Sequence, residues 1–431
     1  MSMTESKSNN SANNNSQDNS LNILFVFGCP LIIGGHIKSA LAMAKNLRQR
    51  GHNIFVMAVP DGDKEIEKEF TAIVSECIFE AEIGKYWKFP AISGYRKIIK
   101  ICREKSIDII HAQDVCSTGR SYLAAVILKI PFIFTQPGGP VTHHIPPADG
   151  KIVLFSEELV EHFQKIRKIK KENIHLISAR IDTTIYRSIT VDSQFLEKYA
   201  LPKTGIKIIM ALRLIPQKSF LIDTMLETAE KIIKQKKDIH FIVAGGGSLL
   251  DYVRNRTGEI NKSAGCKDAI KLIGNIESSI EMNNLYNYAD IVIGHGRGIL
   301  EAMACGKSVI ILGENGKGEF LKPENVEEIA YYNFSGRHFR NRSNTKAGLS
   351  EVIERFLKSP DERFVLEKFS AEYIRSKMDA QFGAGQLLEI YRKTGKEPAP
   401  KMFSYFHWYV RSSIAVIFEG FKRLFNFYRL L

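Results

Sequence analysis

The segment DIVIGHGRGILEAMACG occupies residues 290–306. Its β-branched start predicts a buried strand over residues 290–293. The glycines of 294–298 then lead into a helix that carries Glu301 on its first turns. A strand that runs through a glycine loop into a helix presents free backbone N–H groups and the positive end of a helix dipole. The segment therefore predicts a strand–loop–helix unit with an anion-binding loop.

The same unit recurs along most of the chain. Short Ile- and Val-rich runs alternate with helical segments, and this alternation is typical of parallel sheets covered on both faces. A polar stretch at 190–205 separates two sets of units. The sequence predicts two doubly wound α/β domains with a ligand cleft between them, at the carboxyl ends of the strands. The predicted strands are 23–27, 53–57, 107–111, 131–135, 152–155, 174–177, 207–211, 240–244, 269–273, 290–293 and 308–312.

Composition excludes several classes of protein. The 431 residues include 44% hydrophobic side chains, which is typical of a globular protein and not of a collagen-like or disordered chain. Residues 1–20, with six Ser and six Asn, are predicted to be disordered. The six cysteines form no Cys-x-x-Cys pair, which favours reduced thiols in a cytosolic protein.

The net charge of +13 is compatible with a nucleic acid, an anionic membrane or a phosphorylated small molecule. Nucleic acid is the least favoured partner, because the cations are dispersed and no nucleic-acid-binding module is recognisable.

Further polar groups follow predicted strands in the second half of the chain. Arg213 and Lys218 come just after one strand, where cations can grip phosphate oxygens, although two surface cations would give the same pattern. Gly246 lies in a glycine turn that suits a close phosphate or simply a tight strand-to-helix connection. Glu301 can accept hydrogen bonds from a ribose, and Arg297 can add charge for a diphosphate. Alternatively, these two residues form a helical i,i+4 ion pair.

Taken in order, these motifs resemble glycosyltransferase family 4, whose members are retaining enzymes with the GT-B fold. The resemblance extends from about residue 21 to 393, and the 301–306 motif is its most specific part. The matching features are Gly34-Gly35, the strand ending in His111, Phe155-Ser156-Glu157, Ile181-Asp182, Arg213…Lys218, Gly245–Gly247 and Glu301–Gly306.

The resemblance implies an α/β GT-B architecture of two Rossmann-like domains that face each other across a cleft, with a C-terminal amphipathic helical extension. The expected divisions are a disordered segment at 1–20, an acceptor-side domain at 21–195, a nucleotide-sugar domain at 196–360, helices crossing back to the first domain at 361–396, and a basic, aromatic helical tail at 397–431.

The resemblance also implies transfer of a sugar from a nucleotide-diphosphate donor with retained anomeric configuration, without a cofactor or a metal. Arg213 and Lys218 would bind the diphosphate and Glu301 the ribose. Gly34 and Gly35 would face the phosphates and the sugar across the cleft, and Gly246 and Arg297 would also bind the donor. His111 and His295 are the catalytic candidates.

The sequence departs from the family pattern at three places. The first Glu of the family falls, by count, on Ile293, so His295 or Arg297 is expected to contact the sugar instead. Pro137 replaces a family His, for which His143 or His144 can substitute. The Asn-Gly of the family before Asp182 reads Ala179-Arg180, and Arg180 adds a possible anion contact.

The last 31 residues form a basic and aromatic tail. Residues 401–431 carry five Lys and Arg against one Glu, with polar positions at helical spacing and wide apolar surface between them. Interrupting charges argue against a spanning helix, so a helix lying in the interface of an anionic membrane is expected. A helix packed on the protein or on a second subunit is the alternative.

These observations lead to a functional hypothesis. The expected protein is a membrane-associated, cytoplasmic-face glycosyltransferase of polysaccharide biosynthesis that extends a lipid-linked or surface glycan. Two other hypotheses stay open at this point: a catalytically inactive nucleotide-sugar-binding partner of a glycan-assembly enzyme, and a GT-B nucleotide-sugar epimerase.

Overall fold

The computed structural model describes residues 20–84, 93–138, 146, 147, 149–178, 180–236, 238–276, 278–341 and 348–428. Within them the chain forms two α/β domains, each built on one sheet with helices on both faces. The two doubly wound domains predicted from the sequence are therefore confirmed. Apart from Ser20, the segment predicted to be disordered lies outside the described residues.

The first domain contains a seven-stranded sheet in which every pair of neighbouring strands is parallel. Its strands are β1 (Asn22–Pro30), β2 (Asn53–Val59), β3 (Glu76–Phe79), β4 (Ile109–Ala112), β5 (Phe132–Thr135), β6 (Lys151–Leu154) and β7 (Ile174–Leu176), in the order β3-β2-β1-β4-β5-β6-β7. Its helices are α1 (Gly35–Gln49), α2 (Lys64–Ile73), α3 (Tyr95–Glu104), α4 (Val115–Leu128) and α5 (Glu157–Lys165).

The second domain contains a six-stranded sheet that is parallel except at one edge. The strands are β8 (Ile206–Ala211), β9 (Ile239–Ala244), β10 (Ile270–Gly274), β11 (Ile291–Gly294), β12 (Ser308–Leu312) and β13 (Gly318–Phe320), in the order β10-β9-β8-β11-β12-β13. The edge strand β13 pairs antiparallel with β12. The helices are α6 (Ser193–Lys198), α7 (Ser219–Gln235), α8 (Leu250–Ser263), α9 (Ser279–Tyr288), α10 (Arg297–Ala304), α11 (Val326–Tyr331) and α12 (Leu349–Leu357).

Both sheets are buried on both faces, which explains why their strands read as continuous apolar runs. Along β1, the side chains of Ile23, Phe25 and Phe27 enter one core and those of Leu24 and Val26 enter the core on the other side. All five are fully buried. Successive side chains of a strand point to opposite faces, so a strand between two helix layers needs apolar residues at every position.

Each sheet has one point where the strand order reverses, between β1 and β4 in the first domain and between β8 and β11 in the second. Adjacent loops leave a doubly wound sheet in opposite directions at such a point and open a crevice at the carboxyl ends of the strands. The loop after β1 ends at Gly34, and Gly35 is the first residue of α1. The loops after β8 and β11 contain Arg213 and His295. The topology therefore places the sequence motifs at the two crevices.

The chain returns to the first domain after the second sheet. It runs through α13 (Pro360–Tyr373), a π-helical turn (Ile374–Met378) and α14 (Ala380–Gly395). Helix α14 packs against α1, and its Ala384, Leu387 and Tyr391 belong to the core of the first domain. The last helix of the two-domain body is thus part of the domain in which the chain begins.

The tail forms the helix α15 (Met402–Tyr428), as the sequence predicted. It packs on α4, where Tyr405 and Trp408 lie 5.5 and 5.6 Å from the ring of Tyr122, measured between ring centroids. Side chains beyond residue 415 lie outside the described part. No helix of the described chain combines the length and the apolar character needed to cross a membrane.

We expect Leu387→Ala to lower the free energy of unfolding of the first domain by about 2–4 kcal/mol, because it leaves a cavity between α14 and α1. Phe382→Ala, on the same helix, is the matched control: Phe382 is 55% exposed, so its replacement should change stability by about 0.5 kcal/mol or less. Thermal melting followed by circular dichroism measures both. Equal effects of the two substitutions would show that α14 is not part of this core.

Candidate active site

A cavity of about 860 Å³ lies between the two domains. Its walls combine loops from the carboxyl ends of both sheets, so both switch points open into one space. Every donor-binding residue predicted from the sequence lines it: Gly34, Gly35, Arg213, Lys218, Gly246, Arg297 and Glu301. The fold thus brings together residues that are up to 267 positions apart in the chain.

The glycine pair Gly34-Gly35 forms the first-domain wall next to the N-terminus of α1. A Cβ atom added to Gly35 would lie 3.4 Å from the Cβ of Arg297 in the other domain. That spacing is the lower limit of ordinary van der Waals contact, so α1 and α10 approach each other closely across the cleft at Gly35.

Arg213 and Lys218 line the second-domain wall, in the connection between β8 and α7. A 3₁₀ turn at Pro216–Lys218 directs Lys218 toward β11, where its Nζ contacts Nε2 of His295. Burial and the neighbouring Arg213 both lower the pKa of Lys218. Two cations are therefore held close together at the switch point, which is unfavourable unless an anion lies between them.

The glycine turn Gly245–Gly247 packs directly on this cationic loop. A Cβ at Gly245 would lie 1.9 Å from the carbonyl oxygen of Leu212, and φ at Gly245 is +149°. The backbone N–H of Leu214 donates to the carbonyl of Gly246 at 2.8 Å. Gly245 thus allows two backbone segments to approach each other closely, which is a structural role for the glycine turn. Gly246 lines the cavity.

His295 follows β11 and also lines the cavity. Burial, and secondly the charge of Lys218, lower its pKa to about 4. The imidazole is therefore neutral near pH 7, and with Lys218 at its Nε2 it accepts rather than donates a hydrogen bond at that atom. Ile293, at the position of the missing family Glu, is buried in β11 and has no side chain in the cavity.

Arg297 and Glu301 form the buried i,i+4 ion pair that the sequence offered as the alternative to separate ligand contacts. Arg297 Nε lies 2.7 Å from Glu301 Oε1, and both side chains are 9% exposed. Arg297 Nη1 also donates to Ser39 Oγ at 3.0 Å and to the carbonyl of Arg180 at 2.7 Å. Arg297 thus bridges the two domains, and its charge is matched by Glu301.

His111 occupies a different place from the one expected of a catalytic residue. It is 1% exposed and does not line the large cavity. Its ring nitrogens lie 2.7 Å from the hydroxyls of Tyr391 and Thr135, and burial lowers its pKa to about 3. The structure thus places His111 away from the large cavity, as a neutral residue that ties α14 to the first sheet. The suggested substitutes His143 and His144 lie outside the described residues.

Several wall residues were not selected from the sequence. His36 follows the glycine pair and could have been found from that position. Asn333 and Arg337 come from the segment after α11, which carries no recognisable motif. Arg337 Nε donates to the two carboxylate oxygens of Glu158 at 3.2 and 3.0 Å, across the domain boundary. Only the folded structure shows that this segment closes one end of the cavity.

One group of side chains beside the cavity has the chemistry of a metal site. Donor atoms of Cys29, His36 and Asp114 lie within 4.8 Å of one another. Asp114 Oδ2 already accepts hydrogen bonds from the backbone N–H of Gly28 at 2.8 Å and from Cys29 Sγ at 3.4 Å, and its other oxygen caps α4 through Ser117 N–H. These bonds give the group a structural role at the start of α4.

Comparison with known protein families identifies the class of this fold and cleft. Residues 33–185 match the profile described as Glycosyltransferase Family 4, and residues 192–372 match the profile described as Glycosyl transferases group 1. The two matches together span most of the chain. The chain therefore belongs to the family-4 glycosyltransferases with the GT-B fold, and the resemblance seen in the sequence is confirmed.

Solved structures show the same architecture. A glycosyltransferase from Rickettsia africae ESF-5 aligns with a TM-score of 0.65 at 21% identity, over 88% of this chain and 100% of its own. The Anabaena protein Alr3699/HepE in complex with UDP-glucose gives 0.60 at 16%, over 86% and 100%. Sucrose-phosphate synthase from Thermosynechococcus elongatus gives 0.60 at 14%, over 86% and 98%. A comparison with curated protein sequences found no match.

We expect His295 to stay uncharged between about pH 8 and pH 5.5, because burial and Lys218 both disfavour its protonated form. Its ring resonances, assigned by their loss in His295→Gln, should show no titration step in that range. Lys218→Met should raise the pKa of His295 only part of the way back to the usual 6.5, because burial, the larger cause of the lowered pKa, remains. Lys262→Met, on exposed α8 surface, is the control. A wild-type midpoint near 6.5 would contradict this account.

Proposed function

We propose that this glycosyltransferase transfers a sugar from a nucleotide-diphosphate donor, with retention of anomeric configuration, to a lipid-linked or cell-surface glycan at the cytoplasmic face of a membrane. The observation that carries the donor part is the pair Arg213 and Lys218, which face the cleft at the switch point between β8 and β11 without a carboxylate within 4.0 Å in the described chain. Complexes of the Anabaena protein with UDP and with UDP-glucose support a nucleotide sugar in this type of cleft.

The charge distribution suits the departure of a nucleotide diphosphate. When the bond between the anomeric carbon and the diphosphate oxygen breaks, the electron pair stays with the phosphate and negative charge increases there. Cations that are already in position stabilise that charge without reorganisation. The acceptor hydroxyl forms the new bond to the anomeric carbon, and the leaving phosphate can take its proton. Attack from the face that the phosphate leaves gives retention without a dedicated protein base.

Helix α15 supports the membrane part of the proposal. It packs on the first domain through Tyr405 and Trp408, while Phe403, Phe406 and Ile414 are 81%, 64% and 49% exposed. These exposed residues fall at helical spacing on a face turned away from α4. One side of α15 therefore packs on the protein. Within the described residues, the opposite side, which includes Phe403 and Phe406, is exposed.

Exposed basic side chains lie on α3, which shares a core with α15. Helix α3 packs on α4 beside α15, and its Ile98 and Cys102 share a core cluster with Tyr405 and Trp408. Arg96, Lys100 and Arg103 of α3 are exposed, as is Arg411 of α15. Aromatic side chains with adjacent cations suit the interface of an anionic bilayer. The acceptor-side domain would then face the membrane in which a lipid-linked acceptor resides.

We expect the wild-type protein, given a panel of nucleotide sugars and membrane lipid extract, to release nucleotide diphosphate only when the lipid acceptor is present. Lys218→Met should raise the Kd for the nucleotide diphosphate about 10- to 100-fold, because a charge-assisted hydrogen bond is lost. Lys262→Met removes an equally charged but exposed lysine and should leave the Kd unchanged.

Three measurements separate the alternatives in this experiment. Donor binding without turnover, with every acceptor, would support an inactive partner protein instead. Conversion of the sugar within the nucleotide sugar, without release of nucleotide, would support an epimerase. NMR of the product tests retention, since an inverted anomeric configuration would contradict the proposed reaction.

We expect the double variant Phe403→Ser/Phe406→Ser to lose about 10-fold or more in binding to vesicles that contain anionic lipid, because two exposed aromatic groups no longer enter the interface. Cosedimentation at two salt concentrations measures this and the charge contribution. Phe382→Ser, an exposed Phe on α14, is the matched control and should bind like the wild type. Equal vesicle binding by all three proteins would contradict the membrane-facing role of α15.

A further inference from the structure

The positive charges of the cleft fall into two groups. Among the described residues, seven Lys and Arg side chains line the cavity, and four of them have a carboxylate partner. The partnered cations form the pairs Lys38–Glu69, Arg297–Glu301, Arg337–Glu158 and Arg340–Glu314. In the described chain no carboxylate lies within 4.0 Å of the other three, Arg180, Arg213 and Lys218.

Arg213 and Lys218 are accounted for by the donor. The diphosphate of a nucleotide sugar carries about one negative charge on each phosphate, so two cations at one switch point match it. Arg180 lies on the opposite wall of the cavity, in the first domain, and is left without a counter-charge.

A cation without a nearby carboxylate is unusual at Arg180, because this side chain is almost entirely buried. The residue is 3% exposed, and burial together with Arg297 lowers its pKa to about 9, so it is still a cation near pH 7. Its guanidinium lies 4.6 Å above the ring of Phe155. A buried charge costs several kcal/mol unless an opposite charge and hydrogen bonds compensate it.

The contacts of Arg180 orient its guanidinium without neutralising it. Nη1 donates to the carbonyl of Ser178 at 2.8 Å, and Nη2 donates to Oδ1 of Asn333 in the other domain. Both acceptors are uncharged, and these bonds use two of the five N–H donors of a guanidinium. Segment 139–145, which follows wall residue Gly138 in the chain, contains neither Asp nor Glu.

Arg180 also lies close to the part of the cleft in which the sequence departs from the family pattern. Arg297, the first residue of α10 just after the short loop from β11, donates to the carbonyl of Arg180 at 2.7 Å and to Ser39 in α1. Glu301 pairs with Arg297 and lies more than 4.0 Å from the guanidinium nitrogens of Arg180. That combination favours a substrate group that is an anion rather than a neutral hydroxyl.

We propose that Arg180 binds a second anionic group of the substrate, in addition to the donor diphosphate: the carboxylate of an acidic donor sugar or a phosphate of the acceptor. Either group is an oxyanion that a planar guanidinium binds through two parallel hydrogen bonds. This inference rests on the proposed function, since it requires a nucleotide sugar in the same cleft.

Calorimetric titration of the full chain with UDP, UDP-glucose and UDP-glucuronate tests the donor as the source of the anion. The wild type should bind UDP-glucuronate about 10-fold more tightly than UDP-glucose, as expected for one charge-assisted contact. Arg180→Met should abolish that preference while the Kd for UDP changes by less than about 3-fold. Arg340→Met removes another cation that lines the cavity but has its own carboxylate, Glu314, so it should keep the preference.

A second set of measurements tests the acceptor as the source. If the donor preference is absent, the KM for a prenyl-phosphate-linked sugar should rise about 10-fold in Arg180→Met. The KM for the matching uncharged prenyl glycoside should stay within about 3-fold of the wild type. Either result, in donor or in acceptor, supports the proposal and identifies the substrate that carries the anion.

Two outcomes overturn the inference, and one of them leaves the proposed function intact. If UDP binds through Lys218 but Arg180→Met affects charged and uncharged substrates equally, the proposed function stands and the anion site does not. If neither UDP nor any other nucleotide diphosphate of the panel binds, the proposed function itself fails. Arg180→Lys keeps the positive charge but loses the two parallel N–H donors of the guanidinium. We expect its preference for the anionic substrate to lie between those of the wild type and Arg180→Met. Should Arg180→Met fail to fold, Arg180→Lys and Asn333→Ala supply the same comparison.

Discussion

Matching of buried charge is the constraint on which the cleft depends. The two sheets direct cations from several loops into one enclosed space, and a cation in such a space requires a nearby negative charge. Glu301 supplies it for Arg297, and Glu158 supplies it for Arg337 from across the domain boundary. These pairs hold the walls together, whereas the cations without carboxylates define where a substrate brings its own charge.

The fold was largely readable from the sequence because burial on both faces of a sheet leaves a strong signal. The eleven strands predicted from apolar runs all appear, with ends displaced by a few residues. The two strands that were missed lack that signal. Strand β3 (Glu76–Phe79) lies at a sheet edge and is only partly buried, and β13 (Gly318–Phe320) has three residues and pairs antiparallel at the other edge.

The site was readable only where a loop carries its own chemistry. Cations and glycines just after strands β8, β9 and β11 could be assigned to the cleft because strand ends share one edge of a sheet. Contacts between residues far apart in the chain could not be predicted in this way. No sequence pattern indicates that His111 is enclosed by Tyr391 of α14, or that Asn333 contacts Arg180 across the two domains. For Arg297 and Glu301, the sequence allowed either separate ligand contacts or an i,i+4 ion pair and did not distinguish between them.

The most direct measurement of this account is a crystal structure of the protein with an uncleaved nucleotide sugar bound. The account predicts the diphosphate between Arg213 and Lys218, beside the loop of Gly246, with the sugar directed toward Gly34 and Gly35. A nucleotide bound elsewhere on the chain, or a diphosphate that contacts neither Arg213 nor Lys218, would contradict the assignment of this cleft as the donor site.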